Sequence, residues 1–220
     1  MKALIVGATG LIGQQVLEIL QNDVEIEKIV SLNRSKDAVE GKVTYQKIDF
    51  DQLLEIKLTE DFDFAFCCLG TTIKIAKTKE NFKKVDYQYV VNFAEFSKKS
   101  GVKSFSVISA MGADAKSSIF YNKVKGEMET ALQKVGIRGL LILRPSLLLG
   151  NRKEFRFGEK IGEFFMMLIK PILIGSWRHY AAVKSKFVAQ TMVHATKKHP
   201  FGTRIFSSAE FKLYTELYRL

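Results

Sequence analysis

An α/β protein with a parallel sheet covered on both faces is what this sequence predicts, and two observations carry the prediction. Short apolar runs alternate with longer amphipathic stretches as far as about residue 149. The spacing leaves room for a crossover helix between successive strands, as parallel pairing requires. Of 220 residues, 47% are hydrophobic and 26% charged, which supplies one sizeable core and is short for two. We read residues 1–220 as one domain, with residues 151–220 as a small extension on the substrate side.

The elements follow in order. "KALIVGA" is a continuous apolar run and reads as a buried strand, and "LIGQQVLEILQN" has its apolar residues at helical spacing. "EKIVSLNR" is a second strand, the alternating "KVTYQKIDF" a third, and "DFDFAFCCLG" a fourth that ends at Gly70. A long helix, "ENFKKVDYQYVVNFAEFSKKSG", stops at Gly101, a residue suited to the left-handed position after a helix. "VKSFSVISA" is the fifth strand, a helix around Tyr121 follows, and "IRGLLILRPS" is the sixth. Beyond Leu149 the pattern is irregular, with a helix from about Ser185 and a tail strand, "GTRIFSS".

Charge and cysteines narrow the function. A formal net charge of +11 favours anionic partners. The lysines fall in short groups with no basic arm, no interleaved aromatics and no recognition helix, so a nucleic-acid partner is not predicted. Cys67 and Cys68 are adjacent, a poor arrangement for a disulfide, and have no neighbouring metal-ligand set; they read as core thiols in a reducing compartment. The sequence goes straight into its first strand without a leader pattern. The apolar "FFMMLIKPILIG" contains Lys170 and Pro171 and is too short for a bilayer. The expectation is a cytoplasmic protein with no membrane partner.

"GATGLIG" lies between the first strand and the first helix, where a phosphate-binding turn belongs. Gly7 suits the tight turn, Gly10 the close approach of a pyrophosphate, and Gly13 the packing of helix on strand. Thr9, Leu11 and Ile12 complete the loop, and the helix start presents unpaired N–H groups to the anion. An acidic residue at the end of the second strand would bind the adenosine ribose and repel a 2′-phosphate. Here Asn33 and Arg34 stand instead, and Arg34 can clamp a phosphate with its planar fork, so NADP(H) is expected over NAD. Asp49 can accept from an adenine amino group. Leu69, Gly70 and Thr71 lie at the carboxyl edge of the fourth strand, where ligands of open α/β sheets sit.

Tyr121 and Lys125 are one helical turn apart and share a helix face. Taken alone they are a half-buried tyrosine and a surface lysine. Beside a nicotinamide they make chemical sense: an ammonium lowers the phenol pKa, and the phenol exchanges a proton with an alcohol or carbonyl while hydride moves. Ser109, at the end of the fifth strand, can hydrogen-bond the same substrate oxygen.

"GATGLIG", "CCLGTT", "VDYQYV", "ISAMGADAKSSIFYNKVKGEME" and "LRPSLLLGNRKEFRFGE" resemble the short-chain dehydrogenase/reductase superfamily, in its atypical branch around the Tat-interacting protein. The resemblance spans most of residues 1–165. It implies a Rossmann-type sheet, NADP(H) binding, Ser109, Tyr121 and Lys125 as catalytic residues, and a nicotinamide carboxamide received by the backbone of Pro145, Ser146 and Leu147. Dimers are common in that superfamily, which makes a homodimer an expectation. Three positions depart from its patterns. Ala110 replaces the second of two serines, Asp86 stands where many members carry an Asn that anchors a water relay, and "KSKFVAQ" lacks the Asp of sugar-nucleotide relatives.

Two functions compete on this reading: an NADP(H)-dependent oxidoreductase for a small carbonyl or alcohol, and an NADP(H)-binding regulatory or interaction module without turnover. Arg152 and Arg156 suit an anionic substrate or surface ion pairs with Glu154 and Glu159. Phe164, Phe165, Met166, Met167 and Trp177 suit a pocket or plain core.

Overall fold

The computed structural model describes residues 1–57, 60–146, 148–149, 183–199 and 201–220. The first strand, β1 (Lys2–Val6), is buried along almost its whole length, and α1 (Leu11–Asn22) turns Ile12, Val16, Leu17 and Leu20 onto the sheet. There follow β2 (Lys28–Asn33), β3 (Ala38–Glu40), β4 (Val43–Lys47), a 3-10 turn (Phe50–Glu55) and β5 (Phe64–Cys67). After the short helices α2 (Ile73–Ala76) and α3 (Lys79–Lys83) comes a π-helical turn (Lys84–Gln88), which runs into α4 (Tyr89–Lys99). The chain continues through β6 (Ser104–Ile108), α5 (Phe120–Val135), β7 (Gly139–Arg144), β8 (Leu148–Leu149), β9 (Val183–Lys184), α6 (Ser185–Lys198), β10 (Gly202–Ser207) and α7 (Ser208–Leu217).

Among the described residues, eight strands form one sheet in the order β10-β7-β6-β5-β1-β2-β4-β3, and β8 pairs with β9 separately. Every pairing in the large sheet is parallel except that of β3 with β4. Strand order reverses on either side of β1, which pairs with β2 and β5, so the switch-point crevice lies at the carboxyl ends of β1 and β5. Two apolar layers cover the sheet. Val16, Leu20, Met192 and Phe211 lie in one; Phe93, Phe105, Met128 and Leu132 lie in the other.

Four elements differ from the sequence-based expectation. The hairpin strand β3 is new; it is short and exposed, with no apolar period to reveal it. The long helix over residues 80–101 is interrupted by the π turn, a common feature of functional sites. The tail strand, expected within an extension, is β10 of the main sheet and pairs in register with β7, Gly202 opposite Gly139. Helix α6 also returns to the main body, because its Val188, Ala189, Met192 and Val193 form a buried stripe and its Ser185 hydroxyl accepts from Gln15 Nε2 at 2.6 Å. Of the expected extension, residues 150–182 lie outside the described residues, with Arg152, Arg156 and the apolar run up to Gly175 among them.

Candidate active site

At the end of β1 the chain turns sharply into α1. Gly7 has φ +74°, and a Cβ there would stand 2.5 Å from the Cys68 carbonyl carbon. A Cβ on Gly13 would stand 2.1 Å from the Gly7 oxygen, so the helix is pressed against the turn as closely as backbone allows. Gly10 occupies the N-cap without a side-chain cap, and the first turn of α1 carries no acidic residue. Helix amides and the positive end of the helix dipole are thereby left for an external anion, and a dinucleotide pyrophosphate fits. Ile12 is buried in the core and Leu11 partly so, which leaves their backbone as the available contact; Thr9 is exposed at the loop tip.

The Asn33 side chain builds the loop after β2. Its Oδ1 accepts from the backbone N–H of Ser35 (2.9 Å) and Lys36 (2.7 Å), while Nδ2 donates to the Lys36 carbonyl at 2.9 Å. Arg34 is exposed on this loop. The next carboxylate, Asp37, accepts from Lys47 N–H at 2.7 Å. Asp49 caps the 3-10 turn by accepting from Asp51 N–H at 2.9 Å, so its carboxylate has a structural task beside any adenine contact.

Beyond β5, Leu69 packs against the core, Gly70 is exposed, and Thr71 is held by Asp86: its N–H donates to Asp86 Oδ2 at 2.8 Å. Asp86 Oδ1 is 2.8 Å from Lys125 Nζ, with side-chain exposures of 1% and 4%. The sequence treated Lys125 as a charge available to Tyr121; the structure gives it a buried counter-ion. Burial works against the Lys125 charge, but Asp86 and then Tyr121 hold its pKa above the ordinary lysine value. Lys125 Nζ also lies 3.5 Å from the Ile108 carbonyl at the end of β6.

Tyr121 is in the first turn of α5, half-buried, with its ring packed on Phe82 at 5.6 Å between centroids. Its pKa lies above the ordinary tyrosine value. Burial is the largest cause, Lys125 pulls the value down, and Asp86 pushes it up. The phenol is therefore held neutral, the form that donates a proton.

Ser109 is 4% exposed and donates its hydroxyl hydrogen bond to Glu129, a buried carboxylate of α5. Glu129 also accepts from Arg144 Nε at 3.0 Å and from Arg144 Nη2, which closes a Ser109–Glu129–Arg144 cluster between β6, α5 and β7. The structure thus brings Tyr121 and Lys125 onto one face, and gives the Ser109 hydroxyl to a residue two turns further along the helix. Pro145 and Ser146 are buried; the Pro145 carbonyl accepts from Met111 N–H at 3.0 Å, and Ser146 N–H donates to Ser208 Oγ. Leu147 lies outside the described residues.

Sequence reasoning missed Glu129, Arg144 and Gly126. Glu129 falls on the buried stripe of α5 with Val124, Lys125, Met128 and Leu132, a signal visible on a helical wheel. Gly126 is where the loop after β6 crosses the helix: a Cβ there would stand 2.1 Å from Ala115 N. Cys67 is core, its thiol pushed up to about 12 by burial, and Cys68 Sγ lies 3.9 Å from the Met192 sulfur. Among the described residues no cluster of His, Cys, Asp and Glu is built to hold a metal ion.

The sheet order, the glycine turn and the switch-point crevice define the class: an NAD(P)-binding protein of Rossmann type. The family pattern described as semialdehyde dehydrogenase, NAD binding domain, matches residues 2–95. Rat protein HTATIP2 is 33% identical over 195 residues, covering 86% of this chain and 78% of that protein. Protein FMP52, mitochondrial, from Candida albicans is 34% identical over 188 residues, 78% of this chain and 82% of that one. A third relative, protein FMP52-1, mitochondrial, from Scheffersomyces stipitis, is 34% identical over 157 residues, 70% of each chain. The chain belongs to this HTATIP2 and FMP52 family, whose members are oxidoreductase-like Rossmann proteins of the atypical short-chain dehydrogenase/reductase kind.

The fold is shared with a UDP-glucose 4-epimerase of Thermotoga maritima, at a TM-score of 0.69 and 16% identity over 99% of this chain and 82% of that one. MoeE5, solved with UDP-glucose and NAD, gives a TM-score of 0.69 at 14% identity over 100% of this chain and 83% of that one. One expectation is corrected. Several of the yeast relatives are named as mitochondrial proteins, which overturns the cytoplasmic assignment drawn from the reduced cysteines and the absence of a leader pattern.

Proposed function

We propose that this protein is an NADP(H)-dependent oxidoreductase that reduces a small carbonyl compound or oxidises the corresponding alcohol. The observation that carries the reading is Tyr121 and Lys125 on one face of α5, with Lys125 Nζ anchored at the carboxyl end of β6, beside the dinucleotide crevice. The glycine turn would hold the pyrophosphate by backbone N–H groups, and Arg34, on the loop built by Asn33, would take the adenosine 2′-phosphate. The bound nicotinamide supplies hydride transfer. Tyr121, kept neutral by burial, donates the proton that turns the carbonyl oxygen into a hydroxyl. Lys125 stabilises the phenolate left behind, and its proton stays on nitrogen because Asp86 pairs with it.

The test is Tyr121→Phe. Turnover of a carbonyl panel with NADPH should fall by about 10²–10⁴-fold, the usual worth of a general acid. The thermal shift produced by NADPH should stay within error of the parent. A variant that still turns over refutes the catalytic assignment.

A second reading has its own support: the Ser109 hydroxyl, expected to face the substrate oxygen, donates to Glu129, and Ala110 follows it. On that reading NADP(H) is a sensed ligand and the protein an interaction module. It predicts a thermal shift with NADPH and no turnover with any carbonyl.

A further inference from the structure

We propose that Asp86 is a positioning residue whose carboxylate locks the Lys125 ammonium and the Thr71 amide into one buried unit, and so keeps Tyr121 a proton donor. The inference rests on the proposed reading of Tyr121 and Lys125, and adds to it a third residue from another element.

The geometry is specific. Asp86 sits in the π turn, which widens the helix at one point and aims this side chain inward, where it is 1% exposed. Both of its oxygens are engaged, one at 2.8 Å from Lys125 Nζ and the other accepting from Thr71 N–H at 2.8 Å. A Cβ on Gly70 would lie 3.7 Å from Asp86 Oδ1, so the loop after β5 runs directly over the carboxylate. One side chain therefore ties the loop at the crevice to the lysine beneath the phenol.

The charge arithmetic follows. The titratable groups that face this unit among the described residues are Lys125 and Tyr121 from α5, Asp86 itself, and Cys67 from β5, whose thiol stays protonated. With Asp86 ionised and Lys125 charged, the unit is neutral while Tyr121 keeps its proton, and loss of that proton leaves a net negative charge in a buried place. With an uncharged residue at position 86, the unit carries a positive charge while Tyr121 is protonated, and loss of one proton makes it neutral. Asp86 thus moves the ionisation of Tyr121 upward, and favours the reductive direction, in which the phenol must begin protonated.

The experiment is Asp86→Asn, which keeps an acceptor for Thr71 N–H and removes the charge. Tyrosinate absorbance of the protein without added cofactor is followed against pH and compared with Asp86→Asn/Tyr121→Phe, so that the Tyr121 component is isolated. That component should move to lower pH by about one to three units, the effect of one adjacent charge. Where the reductase reading holds, the alkaline limb of the turnover profile moves down with it. An unmoved Tyr121 component in a folded variant overturns the proposal. A moved component in a protein that turns over no carbonyl keeps the proposal and removes the enzymatic reading. Asp86→Ser, which leaves room for a water between Thr71 and Lys125, gives the same titration if Asp86→Asn does not fold.

Discussion

The two sides of the crevice are built from different materials. On the β1–β2 side the anion site is backbone: Gly7, Gly10 and Gly13 bring N–H groups and helix dipole to one place, and α1's first turn carries no acidic side chain. On the β6–α5 side the groups are buried charges: Asp86 on Lys125, and Glu129 on Arg144 and Ser109. A backbone site depends on the absence of side chains, so substitutions there act by steric exclusion. A charged site depends on pairing, and removing one partner leaves the other buried without compensation.

That contrast is sharpest at Glu129. Glu129→Ala leaves Arg144, itself 31% exposed, without its counter-ion and the buried Ser109 hydroxyl without its acceptor, and should cost about 1–3 kcal/mol, the usual effect of leaving a buried polar group unsatisfied. For a chain of this length that is a fall of roughly 5 °C in Tm, measurable by thermal unfolding. Glu129→Gln, which keeps shape and hydrogen-bonding atoms, should recover part of it. If Glu129→Ala melts with the parent protein, the cluster contributes nothing to stability and the comparison between the two sides fails.

An effect on affinity alone is expected at Arg34. The residue is exposed on a loop whose shape comes from Asn33, so Arg34→Ala should leave Tm unchanged. It should weaken NADPH about tenfold or more, as loss of a charge-assisted contact to a phosphate does, and leave NADH nearly untouched. Equal losses for the two cofactors, read by titration, would remove Arg34 from the 2′-phosphate site.

The backbone side was legible in the sequence because a glycine trio between an apolar strand and an amphipathic helix has few other uses. The strand and helix order was legible for the same reason, since apolar period and length decide it. Pairing was not. Asp86 and Lys125 lie on different elements, and only the π turn and the parallel packing of β5 beside β6 bring them to 2.8 Å. Ser109 reads in one dimension as a residue at a strand end. In three dimensions the pleat turns it toward α5, where Glu129 receives it. The tail strand reads as a strand of a separate extension because nothing in "GTRIFSS" names its partner; among the described residues β10 stands at the edge of the main sheet beside β7, which fits its exposed pattern.

The smallest effect belongs far from the crevice, where α1 and α6 are joined by charge. Lys197 is paired with Asp23, at the C-cap of α1, and with Glu25, and all but Glu25 are largely buried. Burial alone would raise the Asp23 pKa, but the Lys197 hydrogen bond and the Glu25 backbone N–H outweigh it and hold the carboxyl below its ordinary value. A carboxylate depressed in the folded state adds stability above its unfolded pKa of about 3.9, and that contribution is lost as pH falls through the lower folded value. Asp23→Asn should therefore lower Tm slightly at pH 7, by an amount on the order of 1 kcal/mol or less, and the difference from the parent should close below about pH 4. A gap that stays constant to acid would mean that the Asn substitution acts through packing at the α1 terminus. The charge link would then contribute nothing, and pairing would matter only beside the crevice.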